Sequence, residues 1–188
     1  PLPVRVSVQG GIGTADEHEF LLRNYRLDSA GWGTPFLLVP EATNVDDEHL
    51  SKLAAAGSED VFLSDSSPFG VPFWTLRDSA SERARQRRIE AGNPGSPCPR
   101  GLLKLNHEFT EMGLCTASRA YLKKKLADLR RKYEGAQLAL REEVALAKAC
   151  ICYDLAGGAT VRHGIDPKAE PAVCCGPNIA HFSRIATL

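Results

Sequence analysis

A chain of 188 residues has room for one well-buried core, or for a small domain with an extension. Its 23 basic and 23 acidic side chains cancel, which removes the broad positive field that non-specific binding to nucleic acid or to an anionic membrane requires. No apolar run approaches the roughly 20 residues of a membrane span, and the N-terminus lacks the basic flank and cleavage pattern of a signal peptide, so the sequence reads as soluble and cytoplasmic.

The first residue is Pro1 rather than methionine, which reads as processing or as a fragment. Residues Val4 to Val8 are apolar and β-branched, and they run into Gly10-Gly11-Ile12-Gly13-Thr14, a breaker cluster that ends a strand. Ala15 to Tyr25 places Phe20, Leu21 and Leu22 among charged residues, with Thr14 or Asp16 as N-cap and Asp16, Glu17 and Glu19 in the first turn, the pattern of a short amphipathic helix. After Leu27-Asp28 come Ser29-Ala30-Gly31-Trp32-Gly33-Thr34-Pro35 and the apolar run Phe36 to Val39. The order is strand, loop, helix, strand, loop. Such a crossover pairs two parallel strands, and parallel strands are normally covered on both faces of a larger sheet. Nothing downstream offers five or six further strands, so the partner strands are expected in sequence preceding Pro1 or in another chain.

Beyond Pro40 the character changes. Asp46 to Ala56 reads as a short helix, Ser64 to Phe73 as a loop, and Arg77 to Ala91 as charged and helix-permissive. Gly92-Asn93-Pro94-Gly95-Ser96-Pro97-Cys98-Pro99 reads as an exposed linker. From Ser118 onward Tyr121, Leu122, Leu126, Leu129 and Tyr133 recur at helical spacing, interrupted near Gly135, and Leu138 to Ala156 continues it with Val144, Ala147 and Ile151. Two helices, or one long kinked helix, are expected, with Gly157-Gly158 as the stop. The segment Ala159 to Leu188 is irregular. The organisation is thus an α/β part over 1–45 and a mainly helical extension over 46–188, with a linker near 92–99.

A loop that binds phosphate after a parallel strand needs backbone N–H groups converging on the anion, which glycines allow by tolerating unusual dihedrals and leaving no Cβ in the way. Gly10, Gly11 and Gly13 meet that need, the helix near Ala15 adds its positive N-terminal dipole, and Thr14 offers a hydroxyl. A second glycine loop, Gly31-Trp32-Gly33-Thr34, follows the next strand after one helix. That is the layout of the phosphate site shared by the last two βα loops of a (β/α)₈ barrel.

A Gly-Gly-Ile loop, a short helix, and a Gly-Thr-x-Phe-Leu segment leading into Pro40-Glu41 resemble the C-terminal end of the flavin-dependent (β/α)₈ TIM barrels of the nitronate monooxygenase, or 2-nitropropane dioxygenase, family. The resemblance covers about 45 residues and implies FMN as cofactor. It places Gly10, Gly11, Gly13 and Thr14 on the FMN phosphate after the seventh strand, with Gly33 and Thr34 completing the site after the eighth. It implies an FMN-dependent oxidoreductase acting on a small molecule, of which this chain supplies the phosphate-binding loops. The family's histidine that assists proton abstraction comes from an earlier part of the barrel, so no catalytic residue is assigned, and His18 is not promoted to that role. Trp32 departs from the small or aliphatic residue expected between two glycines and is read as packing. Glu41 is read as a solvent-facing or capping carboxylate.

The six cysteines are too sparse for a disulfide-stapled secreted domain. Cys150-Ile151-Cys152 and Cys174-Cys175 are the close pairs, with Cys98 and Cys115 as singles. Gathered by the fold, they suit zinc or an iron–sulfur cluster, which defines an alternative reading as a metal-binding or protein-interaction module without catalysis of its own. Two opposing points are that zinc ribbons carry C-x-x-C knuckles, and that a C-x-C on a helix directs its thiols about 200 degrees apart unless the helix ends there. Inert, buried thiols are the commoner arrangement. The basic runs Arg83 to Arg88, Lys123 to Lys125 and Arg130 to Lys132 read as solvated helix faces, since no aromatic residues interleave them as a stacking platform.

Overall fold

The computed structural model describes residues 4–9, 12, 15–31, 44–70, 72–98 and 100–173. These residues form a mixed α/β structure with six α-helices and two small sheets, and the chain divides into two compact units at Val45/Asp46.

In the first unit β1 (Ser7–Gln9) and β2 (Ser29–Gly31) pair in parallel, joined through helix α1 (Ala15–Asn24). The expected crossover is therefore present. Helix α1 forms because Glu17 and Leu21, four residues apart, share one buried face while Glu19 and Arg23 pair at 2.8 Å on an exposed one. It ends at Arg26, whose φ of 52° is the left-handed conformation that closes a helix. Asp28 then fastens the second strand to the first: the Val6 N–H donates to its carboxylate at 2.7 Å, and its own N–H donates to the Val6 carbonyl at 2.9 Å. The strands are short and Val4 remains 85% exposed. A two-stranded parallel sheet is an arrangement otherwise found covered within larger sheets.

The second unit opens with α2 (Asp47–Ala55), followed by a 3₁₀ turn (Ser58–Asp60) and an antiparallel hairpin of β3 (Val61–Ser64) and β4 (Phe73–Leu76). This hairpin adds a small sheet to the mainly helical extension expected from the sequence. Val61 pairs with Leu76 and Ser64 with Phe73, so the loop expected over Ser64 to Phe73 is present but tipped by strand residues at both ends. Helix α3 (Ala80–Glu90) starts where Ser79 accepts a hydrogen bond from the Glu82 N–H, and α4 (Arg119–Lys132) starts where Ser118 does the same for Tyr121. Helices α5 (Gly135–Leu146) and α6 (Ile151–Arg162) complete the unit.

Three readings of this region change. First, residues 135–162 are two helices broken at 147–150, not one continuous run. Second, Gly157 and Gly158 lie inside α6 and are buried, and the stop comes at Gly164, with φ +66°. The glycine at 157 answers to a neighbour distant in sequence, since a Cβ there would stand 2.9 Å from the Pro171 Cα. Third, the stretch expected as an exposed linker is exposed at Gly92, Asn93 and Pro97 but anchored at its centre. The Ser96 N–H donates to the Ala117 carbonyl and the Arg119 N–H to the Ser96 carbonyl, forming a parallel bridge between Ser96 and Ser118. Gly95, buried with φ +93°, makes that approach possible.

The main apolar cluster is where the helical periodicity places it: Tyr121, Leu122 and Leu129 of α4 meet Ala145 of α5, with Phe109, Leu114, Tyr133 and Leu138 packed around them. Each fully buried leucine contributes about 2 kcal/mol of transfer free energy. The Tyr121 hydroxyl donates to Glu108 at 2.7 Å, and Lys125 donates to the other carboxylate oxygen, so the polar end of the ring is satisfied at the edge of the core. Among the described residues no single helix is long and apolar enough to cross a membrane.

The start of α2 is tied to that of α3 by a four-membered charge network. Lys52 reaches Glu48 at 2.8 Å and Asp78 at 2.7 Å, and Arg83 reaches each of the same carboxylates at 2.6 Å. Hydrogen bonds from Lys52 and then Arg83 hold Glu48 and Asp78 down at about 2. Lowered carboxylates stabilise the fold fully above their unfolded values near 4, and that contribution disappears as pH falls toward about 2. Both carboxylates are more than half exposed, so solvent screening limits the effect to about 1 kcal/mol. Urea unfolding at neutral and at acid pH is expected to show a smaller acid loss for the Glu48→Gln/Asp78→Asn double variant than for the parent chain. Equal losses would place the acid sensitivity elsewhere.

Candidate functional site

Three constellations bear on chemistry. The first is the end of the parallel sheet. Gln9 lies opposite Gly31, so β1 and β2 finish level, and a Cβ on Gly31 would meet the Gln9 side chain at 3.0 Å. Gln9 therefore lies across the bare backbone of Gly31 at the carboxyl edge of the two strands, the edge at which α/β sheets bind ligands. Ile12, from the glycine-rich sequence after β1, is fully buried. The expected phosphate-binding residues Gly10, Gly11, Gly13, Thr14, Gly33 and Thr34 lie outside the described residues, as do Trp32 and Glu41.

The second is Asp46, Glu48 and His49, the one group among the described residues that brings three ligand atoms within 4.8 Å of one another. Its atoms are already engaged. Asp46 is the N-cap of α2, accepting from the His49 N–H at 3.1 Å, and both its oxygens lie 2.9 Å from the His49 Nδ1. The His49 Nε2 accepts the Ala80 N–H at 3.0 Å, which requires the tautomer with its proton on Nδ1. Glu48 is held by Lys52 and Arg83. A cation here would have to displace two structural hydrogen bonds and two ion pairs, so the group is a helix cap that joins α2 to α3. Sequence reasoning did not single out His49; Asp46 followed by acidic residues showed a helix start, but the Ala80 contact is 31 residues away.

The third is a gathering of thiols. Cys150 and Cys152, considered from sequence, are joined by Cys98 and Cys115, while Cys174 and Cys175 lie outside the described residues. All four described cysteines are free. Cys115 interacts electrostatically with Cys98 and Cys152, and Cys150 and Cys152 each interact with Cys98 and with one another. The backbone explains the convergence. The Ser96–Ser118 bridge lays the Cys98 loop beside the segment carrying Cys115, whose carbonyl accepts the Ser118 N–H at 2.9 Å. Ser96 also interacts with the Cys150 side chain. Cys150 itself is the N-cap of α6, with ψ 81°, so it is not helical, and the opposed directions expected of a helical C-x-C do not apply.

Burial raises the Cys115 and Cys152 thiols, and burial followed by the nearby Asp154 carboxylate pushes Cys150 up to about 12. As protonated thiols these groups are poor nucleophiles. Asp154, buried beside them and accepting from the Ser81 hydroxyl at 2.5 Å, is itself raised by burial to about 6. Two further atoms in this neighbourhood, the Thr116 Oγ1 and the Arg119 Nε, are buried without a hydrogen-bond partner among the described residues.

The basic runs are largely engaged within the chain. Arg83 pairs with Asp78 and Glu48, Arg85 with Glu82, Arg87 and Arg88 with Glu170, Lys125 with Glu108, Arg130 with Glu142, and Arg131 and Lys132 with Asp128. Compared with known proteins, the chain matches neither a family model nor a curated relative.

Proposed function

We propose that this chain supplies the phosphate-binding strand ends of a flavin-type (β/α)₈ barrel, as part of an FMN-dependent oxidoreductase of the nitronate monooxygenase type acting on a small molecule. The observation that carries the reading is the parallel pair β1–β2, with its strands ending level at Gln9 and Gly31 and joined through a helix. The glycine-rich sequences 10–14 and 31–34 follow those two ends directly. Glycine backbone N–H groups and the α1 N-terminus together suit a phosphate dianion. The exposed Val4 and the short strands of this sheet fit burial against further barrel strands, drawn from additional sequence or from another chain.

In this reading FMN supplies the electron transfer when bound, and the protein orients it. Thr14 and the backbone of Gly10, Gly11, Gly13, Gly33 and Thr34 hold the phosphate, and Gln9 lines the carboxyl edge of the two strands. The catalytic base comes from strands outside this sequence. Binding of FMN and of riboflavin to the full chain, followed by flavin fluorescence, tests the assignment. The phosphate is expected to improve binding by about tenfold or more, and Gly11→Leu or Gly33→Leu to remove that preference. Equal binding of the two flavins would overturn the phosphate site.

A further inference from the structure

We propose that Cys98, Cys115, Cys150 and Cys152 are the four thiolate ligands of an iron–sulfur cluster. The four residues come from three segments: the loop after α3, the approach to α4, and the first turn of α6. Hydrogen bonds unrelated to the thiols bring those segments together. The Ser96 N–H donates to the Ala117 carbonyl at 2.9 Å and the Arg119 N–H to the Ser96 carbonyl at 3.0 Å, and Gly95 and Ser96 line one small cavity together with Ala149, Cys150 and Asp154. Four free thiols gathered by such scaffolding match the Cys₄ set that holds these clusters.

Spacing separates iron–sulfur from zinc. A single zinc with Zn–S bonds of about 2.3 Å holds its four sulfurs roughly 4 Å apart. Among the described residues only Asp46, Glu48 and His49 bring three ligand atoms within 4.8 Å, so no three of the thiol sulfurs do. A cluster of several irons spans a wider ring of thiolates. A second, independent observation is the pair of orphaned buried groups. The Arg119 Nε–H and the Thr116 hydroxyl are next to or within the segments that carry the thiols, and neither has a hydrogen-bond partner among the described residues. Cluster sulfurs accept hydrogen bonds from such donors, which tune the potential. Cys150 is buried while Cys98, Cys115 and Cys152 are half-buried, so the site is closed on one side and reachable from the other. Ligation is an exchange without change of oxidation state: each cysteine sulfur bonds an iron of a preassembled cluster and displaces the terminal thiolate that iron carried, which leaves as a thiol with the cysteine's proton.

The test uses the full chain purified without oxygen from iron-supplemented cells, with iron, zinc and acid-labile sulfide measured together. Sulfide distinguishes the cluster from a flavin, which also absorbs in the visible. Equal amounts of iron and sulfide are expected, along with protection of the four thiols from iodoacetamide that is lost when a chelator strips the iron. Cys98→Ser and Cys115→Ser are each expected to lose most of the iron while far-UV circular dichroism stays that of the parent chain. The Cys174→Ala/Cys175→Ala variant is expected to keep it. Zinc in place of iron, neither metal, a folded Cys98→Ser chain with full iron content, or loss of iron from the Cys174→Ala/Cys175→Ala variant would each overturn the proposal. If a serine variant does not fold, the alkylation pattern of the parent chain decides: labelling of all four thiols regardless of iron overturns it.

Discussion

Alanine in place of His49 is expected to destabilise the second unit by about 3–5 kcal/mol. The ring is 1% exposed and joins two elements: its Nδ1–H donates to Asp46 and its Nε2 accepts the Ala80 N–H. Its removal leaves a buried carboxylate and a backbone N–H without their partner, and a void the size of an imidazole between α2 and α3. Glu48→Ala, one residue away on the exposed side of the same turn, removes only screened ion pairs and is expected to cost no more than about 1 kcal/mol. Chemical denaturation of the two variants separates the cases. Equal, small costs would show that the His49 bridge is not what joins the two helices.

Gly95→Ala is the second large effect, expected at about 2–4 kcal/mol. Two causes add. Gly95 has φ +93°, and the new Cβ would stand 2.7 Å from the backbone N and Cα of Arg119. Gly92 is the internal control: its φ is +66°, but a Cβ there meets nothing within 4 Å. Gly92→Ala is therefore expected to show only left-handed strain, about 1 kcal/mol. The difference between the variants measures how tightly the Cys98 loop is pressed on α4. Similar values would mean that the loop lifts away at little cost, and the convergence of Cys98 with Cys115 would lose its scaffold.

What could be read from sequence follows the range of the interactions involved. The β1–α1–β2 crossover, the α2 start at Asp46 and the core face Tyr121, Leu122, Leu129 were legible because caps, glycines and the 3.6-residue period act over a few neighbours. The β3–β4 hairpin was not: its strands have four residues each, and the connection over 65–72 is longer than the tight turns that announce hairpins. Gly157 misled because its reason is Pro171, met only after α6 has turned the chain back. The thiol group was half legible. Cys150 and Cys152 are two residues apart in sequence, but Cys98 and Cys115 join them through the Ser96–Ser118 bridge, which no local pattern encodes. The angular objection to the C-x-C pair failed because it placed both residues inside a helix, whereas the helix begins between them.

The closure of the second unit by its own final residues sets the order in which it can assemble. Ser81, at the start of α3, donates its N–H to the Pro171 carbonyl and its hydroxyl to Asp154; Arg88 pairs with Glu170; Lys148 donates to the Asp65 and Ser67 carbonyls. Each of these contacts joins residues far apart in the chain, whose closure entropy must be met before the contact stabilises anything. A nascent chain that has left the ribosome only as far as α5 therefore holds α3 without the groups that Ser81 and Arg88 engage. The ties of α3 to α2 can form as soon as both helices are out, whereas the partners of Ser81 and Arg88 arrive only once translation has passed Ala172, so this end of the unit closes last.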